Sequence, residues 1–149
     1  MLKTDFTTMS GIEIMRWIQA EPQMDVPNIS RFIGMVFDEV ELGRIVVSLE
    51  TRPEFTNPLG VVHGGICATL LDTVMGCAVH TTLPAGVAYT TLELKVNYVR
   101  AARPGGQTLI GTGTVIHGGR RVATAEGRVV DEQGKLIAHG TTTCMILEA

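Results

Sequence analysis

The sequence has few of the features that would assign it to several common functional classes. Aromatic residues make up 5% of the 149 residues, and the formal net charge is only −3. So weak a negative charge gives no general attraction to nucleic acid or to anionic lipid. No apolar run approaches the roughly 20 residues of a membrane span, and acidic Asp5 argues against a signal peptide. We expect a cytoplasmic protein with no nucleic-acid or membrane partner.

Cysteine, serine and histidine are also absent from the patterns that would define a familiar catalytic or metal site. The cysteines are odd in number and lack paired spacing, so we predict reduced core residues. No serine lies in a Gly-x-Ser-x-Gly elbow, which argues against a serine hydrolase. The histidines are scattered without ligand spacing, so no metal or other cofactor is predicted. These residues are Cys67, Cys77 and Cys144, and His63, His80, His117 and His139.

The residues that are present predict one main domain preceded by a short helix. A hydrophobic fraction of 45% is ample for one closed core at this length. Residues 10–21 open with Ser10 and Glu13 in capping-box spacing and continue as a helical apolar stripe, with Pro22 and Pro27 ending the helix. We therefore divide the chain into a helical extension, residues 1–27, and a main domain, residues 28–149.

The first half of the main domain predicts a hairpin followed by a long helix. Two β-branched runs, Ile29 to Val40 and Arg44 to Thr51, are predicted to be its strands. Residues 57–60, Asn-Pro-Leu-Gly, have the preferences of a type I turn. Residues 63–83 are apolar almost all round and too long for a strand, which predicts a buried helix ended by Pro84.

Four further runs rich in threonine and valine predict antiparallel strands with short connections. In the third run Ala123 and Ala125 alternate with Thr124 and Glu126, so one face of the sheet is apolar and small. Such a face beside one long apolar helix implies an α+β fold in which the antiparallel sheet wraps around the helix. The runs cover residues 88–99, 106–117, 120–131 and 135–147.

Asp72 is the one acidic or basic residue inside the predicted long helix between His63 and His80. A carboxylate buried in apolar surroundings is costly unless it is hydrogen-bonded or paired. A purely structural explanation is that Asp72 accepts hydrogen bonds from a neighbouring hydroxyl, Thr69 or Thr73. The functional explanation is that Asp72 acts as a general base or as a nucleophile.

The start of the predicted long helix offers backbone N–H groups that complement the Asp72 carboxylate. Gly64 and Gly65 supply backbone N–H groups without side chains at the positive end of the helix dipole, which suits a developing oxyanion. Tight packing alone would also explain these glycines. Gly64 and Asp72 are eight residues apart, or about 12 Å along one helix. If both act on one carbonyl carbon, the carboxylate must come from a second copy of the chain, which requires a two-fold dimer.

The residues from Asn57 to Gly65, Asn-Pro-Leu-Gly-Val-Val-His-Gly-Gly, followed by Leu70-Leu71-Asp72, resemble the hotdog-fold thioesterases of the PaaI-like (phenylacetic acid degradation) group. The resemblance implies hydrolysis of aryl- or medium-chain acyl-CoA thioesters to free acid and CoA. It also implies a homodimer with composite active sites, expected as a dimer of dimers. In that arrangement Gly64 would donate its N–H to the thioester oxygen and Asn57 would hold the thioester or the water. Asp72 of the partner subunit would be the base or nucleophile.

The resemblance extends to neighbouring positions. In related members a Ser or Thr on the strand after the helix orients the water, and its counterpart here is Thr91, with Thr90 as the alternative. Strict alternation places Thr91 on the polar face with Glu93, so Thr91 reaches a site only at the dimer seam or through a bulge. His63 is expected to be structural or to position the substrate, beside Gly65.

Two features of the substrate remain open at this point. Coenzyme A carries several phosphate charges, and at least one of four arginines near turns is expected to contact them. The acyl group is not fixed by the sequence, although Met75, Val79, Leu83 and the N-terminal helix are candidates for lining its pocket. The four arginines are Arg100, Arg103, Arg120 and Arg121.

Two alternatives keep the fold and change the function. A hotdog-type enoyl-CoA hydratase or dehydratase needs a paired acid and base over the acyl carbons, and His63 and Asp72 could pair only across subunits. A non-catalytic acyl-CoA-binding protein needs no carboxylate, so the presence of Asp72 disfavours it.

Overall fold

The computed structural model describes residues 5–21 and 27–148. Within them the chain forms three α-helices and six strands, with two 3-10 turns at Phe6–Thr8 and Pro53–Phe55. The helices are α1 (Gly11–Ala20), α2 (Ile29–Ile33) and α3 (Gly64–His80). The strands are β1 (Met35–Glu41), β2 (Arg44–Glu50), β3 (Ala88–Tyr98), β4 (Thr108–Gly118), β5 (Val122–Asp131) and β6 (Leu136–Leu147).

The six strands form one antiparallel sheet in the order β1-β2-β4-β5-β6-β3, and α3 packs against its inner face. Small residues allow this close approach. A Cβ at Gly113 would lie 2.3 Å from the Val74 carbonyl oxygen, so only glycine fits there. Ala123 and Ala125 are buried on the same face. The predicted α+β architecture, a sheet wrapped around one long helix, is confirmed.

Helix α1 forms as its capping signal predicts. The Glu13 carboxylate accepts a hydrogen bond from the Ser10 N–H at 2.8 Å, and Met15 on the apolar stripe is buried. The Gly11 N–H donates to the Leu83 carbonyl at 2.9 Å, which ties α1 to the turn after α3. Pro22, predicted to end this helix, lies outside the described residues.

The prediction of a strand from residue 29 is wrong, because residues Ile29–Ile33 form helix α2. The Asn28 side chain accepts a hydrogen bond from the Arg31 N–H at 2.9 Å and caps the helix. Gly34, with φ of 84°, ends it in the left-handed conformation. These two end signals outweigh the β-branched content of a segment only five residues long.

The predicted short antiparallel connection at residues 103–106 is also wrong. Strand β3 pairs with β6 at one edge of the sheet, whereas β4 lies between β2 and β5, so this segment crosses from the edge to the centre. The β1–β2, β4–β5 and β5–β6 hairpins form as expected. Turn residues predict where the chain changes direction. They do not determine with which strand of the sheet the following strand pairs.

Helix α3 ends at His80, three residues before the predicted limit at Leu83. The Thr81 hydroxyl donates to the Ala78 carbonyl at 2.6 Å and accepts from the Gly43 N–H at 2.7 Å. Thr81 therefore satisfies a carbonyl of the last turn and fixes the β1–β2 hairpin to the helix end.

All three cysteines are free, as predicted. Across residues 5–21 and 27–148, no helix combines the length and the hydropathy needed to cross a membrane.

Candidate active site

Asp72 lies half-buried in the middle of α3, facing strand β3. Its Oδ1 atom accepts a hydrogen bond from the Thr91 hydroxyl at 2.9 Å. The Thr69 hydroxyl, a predicted alternative partner, instead donates to the Gly65 carbonyl at 2.8 Å. The carboxylate is therefore held by a side chain from the facing strand, and its second oxygen is left for other contacts.

A β-bulge explains how Thr91 reaches Asp72. Thr91 is paired with Cys144 and Glu93 with Thr143, so Leu92 is an extra residue on β3. The bulge interrupts the strict alternation that placed Thr91 with Glu93, and Leu92 is 52% exposed. This is one of the two conditions under which Thr91 was expected to reach a site.

Two thiols lie near the carboxylate but are poor nucleophiles. Burial raises the pKa of Cys77 to about 12, and the Asp72 charge adds to the shift. Burial also raises the pKa of Cys144, again with a contribution from Asp72. Because a thiol must ionise to attack, neither cysteine is activated at neutral pH. Asp72 remains the candidate for the reactive group.

The start of α3 presents one N–H group without a partner. The His63 Nδ1 atom accepts from the Gly65 N–H at 2.9 Å, and the His63 carbonyl accepts from the Ile66 N–H at 3.0 Å. Within the described part of the chain, the Gly64 N–H has no acceptor. His63 thus caps the helix, Gly65 is engaged, and Gly64 keeps a free donor at the positive end of the dipole.

Tyr98, which the sequence analysis missed, borders this donor. Its hydroxyl donates to the Gly64 carbonyl at 3.0 Å, and a Cβ at Gly64 would lie 3.0 Å from its ring. Gly64 and Tyr98 line an open groove of about 320 Å³ together with Arg100. The chain has two tyrosines, both on β3 and both packed on glycines of α3. The signal available in the sequence was that tyrosine is rare in this chain and that both tyrosines lie in one predicted strand.

Asn57 organises the loop that leads into α3. Its Oδ1 atom accepts from the Leu59 N–H at 2.9 Å and from the Val61 N–H at 3.3 Å. The Gly60 N–H donates to the Asn57 carbonyl at 3.0 Å, which confirms the predicted turn. Among residues 5–21 and 27–148 the Asn57 amide nitrogen has no acceptor, so that group is available to a substrate.

The remaining predicted residues are not brought together in one chain. Arg100 lines the groove beside Gly64, and Arg103 forms an ion pair with Glu132 at 3.6 Å. Arg120 and Arg121 follow β4, with Arg120 beside the turn after α3. Thr90 is exposed on β3, and no hydrogen bond to Asp72 is formed by it among the described residues.

The two principal groups are also separate within one chain. Gly64 and Asp72 lie eight residues apart on the same continuous helix, which corresponds to about 12 Å along its axis. Residues 5–21 and 27–148 contain no group of three or more His, Cys, Asp and Glu side chains that could hold a metal ion. A free amide at the helix tip and a hydroxyl-bound carboxylate in its middle are what the chain offers.

Comparisons with known proteins bear on the fold and on the family. The family model of the thioesterase superfamily matches residues 59–138, a stretch that includes α3 and Thr91. Human acyl-coenzyme A thioesterase 13 is 28% identical over 118 residues, covering 78% of this chain and 83% of the relative. The E. coli PaaI protein from the phenylacetic acid degradation operon matches in structure with a TM-score of 0.80 at 20% identity, covering 93% of this chain and 97% of that one.

A third comparison adds a bound ligand in another protein. A Streptococcus mutans protein, whose crystal structure was determined bound to acetyl CoA, matches with a TM-score of 0.74 at 25% identity. The match covers 85% of this chain and 97% of that one. The fold is therefore the hotdog fold of the thioesterases. The chain belongs to the thioesterase superfamily, a family of thioester hydrolases.

Proposed function

We propose that this protein hydrolyses aryl- or medium-chain acyl-CoA thioesters to free acid and CoA, at two equivalent sites shared between the subunits of a homodimer. The observation that carries the proposal is the 2.9 Å hydrogen bond from Thr91 to Asp72, a carboxylate in an otherwise apolar helix. The human relative named as an acyl-coenzyme A thioesterase and the acetyl-CoA-bound Streptococcus mutans protein support the choice of thioester.

In the proposed reaction the thioester carbonyl oxygen accepts a hydrogen bond from the Gly64 N–H, which stabilises negative charge on that oxygen. Asp72 takes a proton from water as the water oxygen bonds to the carbonyl carbon. The carbon–sulfur bond then breaks, and CoA leaves as a thiol after its sulfur receives the proton that Asp72 took from the water, which regenerates the carboxylate. The Thr91 hydroxyl fixes one carboxylate oxygen and leaves the other for the water. In the variant of this scheme Asp72 attacks the carbonyl carbon directly and expels the CoA thiolate, and water then hydrolyses the mixed anhydride to free acid and regenerated Asp72.

The exposed edge of β3 supports the dimer. This strand of 11 residues ends the sheet, and long strand edges with unpaired backbone N–H and C=O groups are normally covered. Leu92 and Tyr98 on it are 52% and 56% exposed. Antiparallel pairing of two β3 strands about a two-fold axis, with Thr91 opposite the partner's Tyr98, would bring Asp72 towards the partner's Gly64. A dimer of dimers remains a prediction beyond this.

In this proposal the groove beside Gly64 receives the pantetheine end of CoA, with Arg100 close enough to meet a phosphate. The arginines at the other end of the sheet, Arg120 and Arg121, would serve the site only from the partner subunit, because two-fold pairing reverses the strand direction. Arg103 is already paired with Glu132.

Release of free thiol from acyl-CoA, followed with a thiol reagent, tests the activity. Hydrolysis releases one thiol per acid formed and continues under substrate excess. A hydratase would leave the thioester intact, and a binding protein would not turn over. Absence of thiol release from every aryl- and medium-chain acyl-CoA would overturn the proposal.

Mixed dimers test the shared site. Gly64→Pro removes the N–H donor at the first helical position, where proline is favoured, and His63 already has the extended backbone that precedes proline (φ −59°, ψ 132°). Each variant alone, Gly64→Pro or Asp72→Asn, should be nearly inactive. Random co-assembly of the two should restore roughly a quarter of the wild-type rate, since half of the dimers contain one intact site.

The matched control is Gly64→Ala, which adds a similar contact with Tyr98 but keeps the N–H. Its activity should exceed that of Gly64→Pro by about 10²-fold, the usual effect of one oxyanion donor. No restoration in the mixed dimers would place both groups of a site in one subunit and refute the composite arrangement.

A further inference from the structure

Strand β3 carries a second side chain that faces α3 beside the candidate site. Residues two apart on a strand point to the same side, and Tyr89 precedes Thr91 by two. Residues four apart share one face of a helix, and Gly76 follows Asp72 by four. Thr91 therefore lies over Asp72, and Tyr89 lies over Gly76, one turn or about 6 Å further along α3.

The Tyr89 ring occupies the space that a side chain at position 76 would need. A Cβ at Gly76 would lie 2.7 Å from the Tyr89 hydroxyl oxygen and 2.9 Å from a ring carbon. The ring also packs against His80, with centroids 5.5 Å apart. Burial strongly raises the pKa of Tyr89, so the phenol is neutral across the physiological range. The space between β3 and α3, called the crevice below, thus has the Asp72–Thr91 pair at one point and an aromatic ring one turn later.

An open cavity of about 320 Å³ lies at the end of α3, lined in part by residues that neighbour Tyr89. Much of its lining is apolar, including Leu83, Val87, Ala123 and Ile146. Ile146 is the direct cross-strand partner of Tyr89, so the two side chains are on the same side of the sheet. Along the chain, Tyr89 therefore lies between Thr91 and Val87, and Val87 lines this cavity.

We propose that Tyr89 sets the length of the acyl group by ending the crevice one helical turn beyond Asp72. The inference rests on the proposed function and narrows its substrate class to the more compact members, aryl groups and the shorter medium chains, over long straight chains. The charged CoA moiety must stay in contact with solvent, whereas the apolar acyl group gains free energy by entering the crevice. When the thioester carbonyl lies at Asp72, the acyl group contacts the Tyr89 ring before the acyl group can reach the cavity.

The test compares kcat/KM for benzoyl-, butanoyl-, octanoyl- and dodecanoyl-CoA in the wild type and in Tyr89→Ala. Removing the ring joins the crevice to the cavity, so the ratio of dodecanoyl to benzoyl kcat/KM should rise at least about tenfold. Tyr89→Leu, which keeps apolar filling but is too short to reach Gly76, should shift the ratio in the same direction. Tyr89→Phe retains the ring and should keep the wild-type preference.

A second substitution, Gly76→Ala, tests whether the change in chain-length preference arises in the crevice. Because the three nearest neighbours of a Cβ at Gly76 are Tyr89 atoms, Gly76→Ala should be accommodated in the Tyr89→Ala background. The added methyl group refills part of the crevice, and the ratio should move back towards the wild-type value. A general loosening of the fold would not be reversed by this change.

The outcomes separate the two proposals. If the wild type releases no thiol from any acyl-CoA, the proposed function fails. If the wild type hydrolyses these thioesters and both Tyr89→Ala and Tyr89→Leu keep its chain-length preference, only the role of Tyr89 is overturned. A wild type that prefers dodecanoyl-CoA to benzoyl-CoA would also overturn it.

Discussion

The first turn of α3 and its middle differ in what they offer to a substrate. The first turn has a free Gly64 N–H beside an open groove, whereas the middle holds Asp72 half-buried under β3. The first can stabilise negative charge, and the second can accept a proton. A rigid helix keeps them about 12 Å apart, so in the proposed function one chain supplies both halves of a hydrolytic site without joining them. Under that proposal, assembly of two chains is part of the mechanism.

The largest expected effect comes from neutralising the middle region. Asp72→Asn keeps the size of the side chain and an oxygen for Thr91, but it removes the base. We expect kcat to fall about 10³-fold, within the range for loss of a general base. Thiol release measures the rate, and size-exclusion chromatography and circular dichroism check that assembly and fold are retained. Turnover close to that of the wild type would show that Asp72 has only a structural role.

A smaller effect is expected when the carboxylate is kept and its support is removed. Thr91→Val preserves the shape of the strand residue but leaves Asp72 without the 2.9 Å hydrogen bond, so kcat should fall about tenfold. Thr91→Ser retains a hydroxyl and should recover most of the rate. The comparison with Thr90→Val, on the exposed side of β3, decides between the two candidate threonines. A larger loss with Thr90→Val would reverse the assignment.

Much of the fold could be predicted because periodicity and capping are local signals. The capping box at Ser10, the apolar pattern of α3 and the small-residue face at Ala123 and Ala125 each formed as expected. Strand order could not be predicted in the same way. The pairing of β3 with β6 depends on contacts between residues about 50 apart, which no short pattern records.

The candidate site shows the same division. Asp72 was identified because a charge in an apolar helix is conspicuous, whereas its Thr91 partner depended on a bulge that alternation alone argues against. Tyr89 and Tyr98 were missed because their importance comes from the glycines they meet across the crevice. Such pairings are visible only once the strand and the helix are in contact.

The smallest expected effect concerns the far end of α3, where His80 extends the comparison to a third region. A helix C-terminus favours a protonated histidine, yet burial lowers the pKa of His80, so desolvation outweighs the dipole. His80 in the unfolded chain therefore takes up a proton near pH 6.5, whereas His80 in the folded chain takes one up only at lower pH. The contribution of neutral His80 to the free energy of unfolding should be fully present above about pH 6.5 and should decline as the pH falls below that value. Thermal melts from neutral to mildly acidic pH should therefore show a smaller decrease in Tm for His80→Gln than for the wild type. Equal decreases in the two proteins would contradict this role for His80.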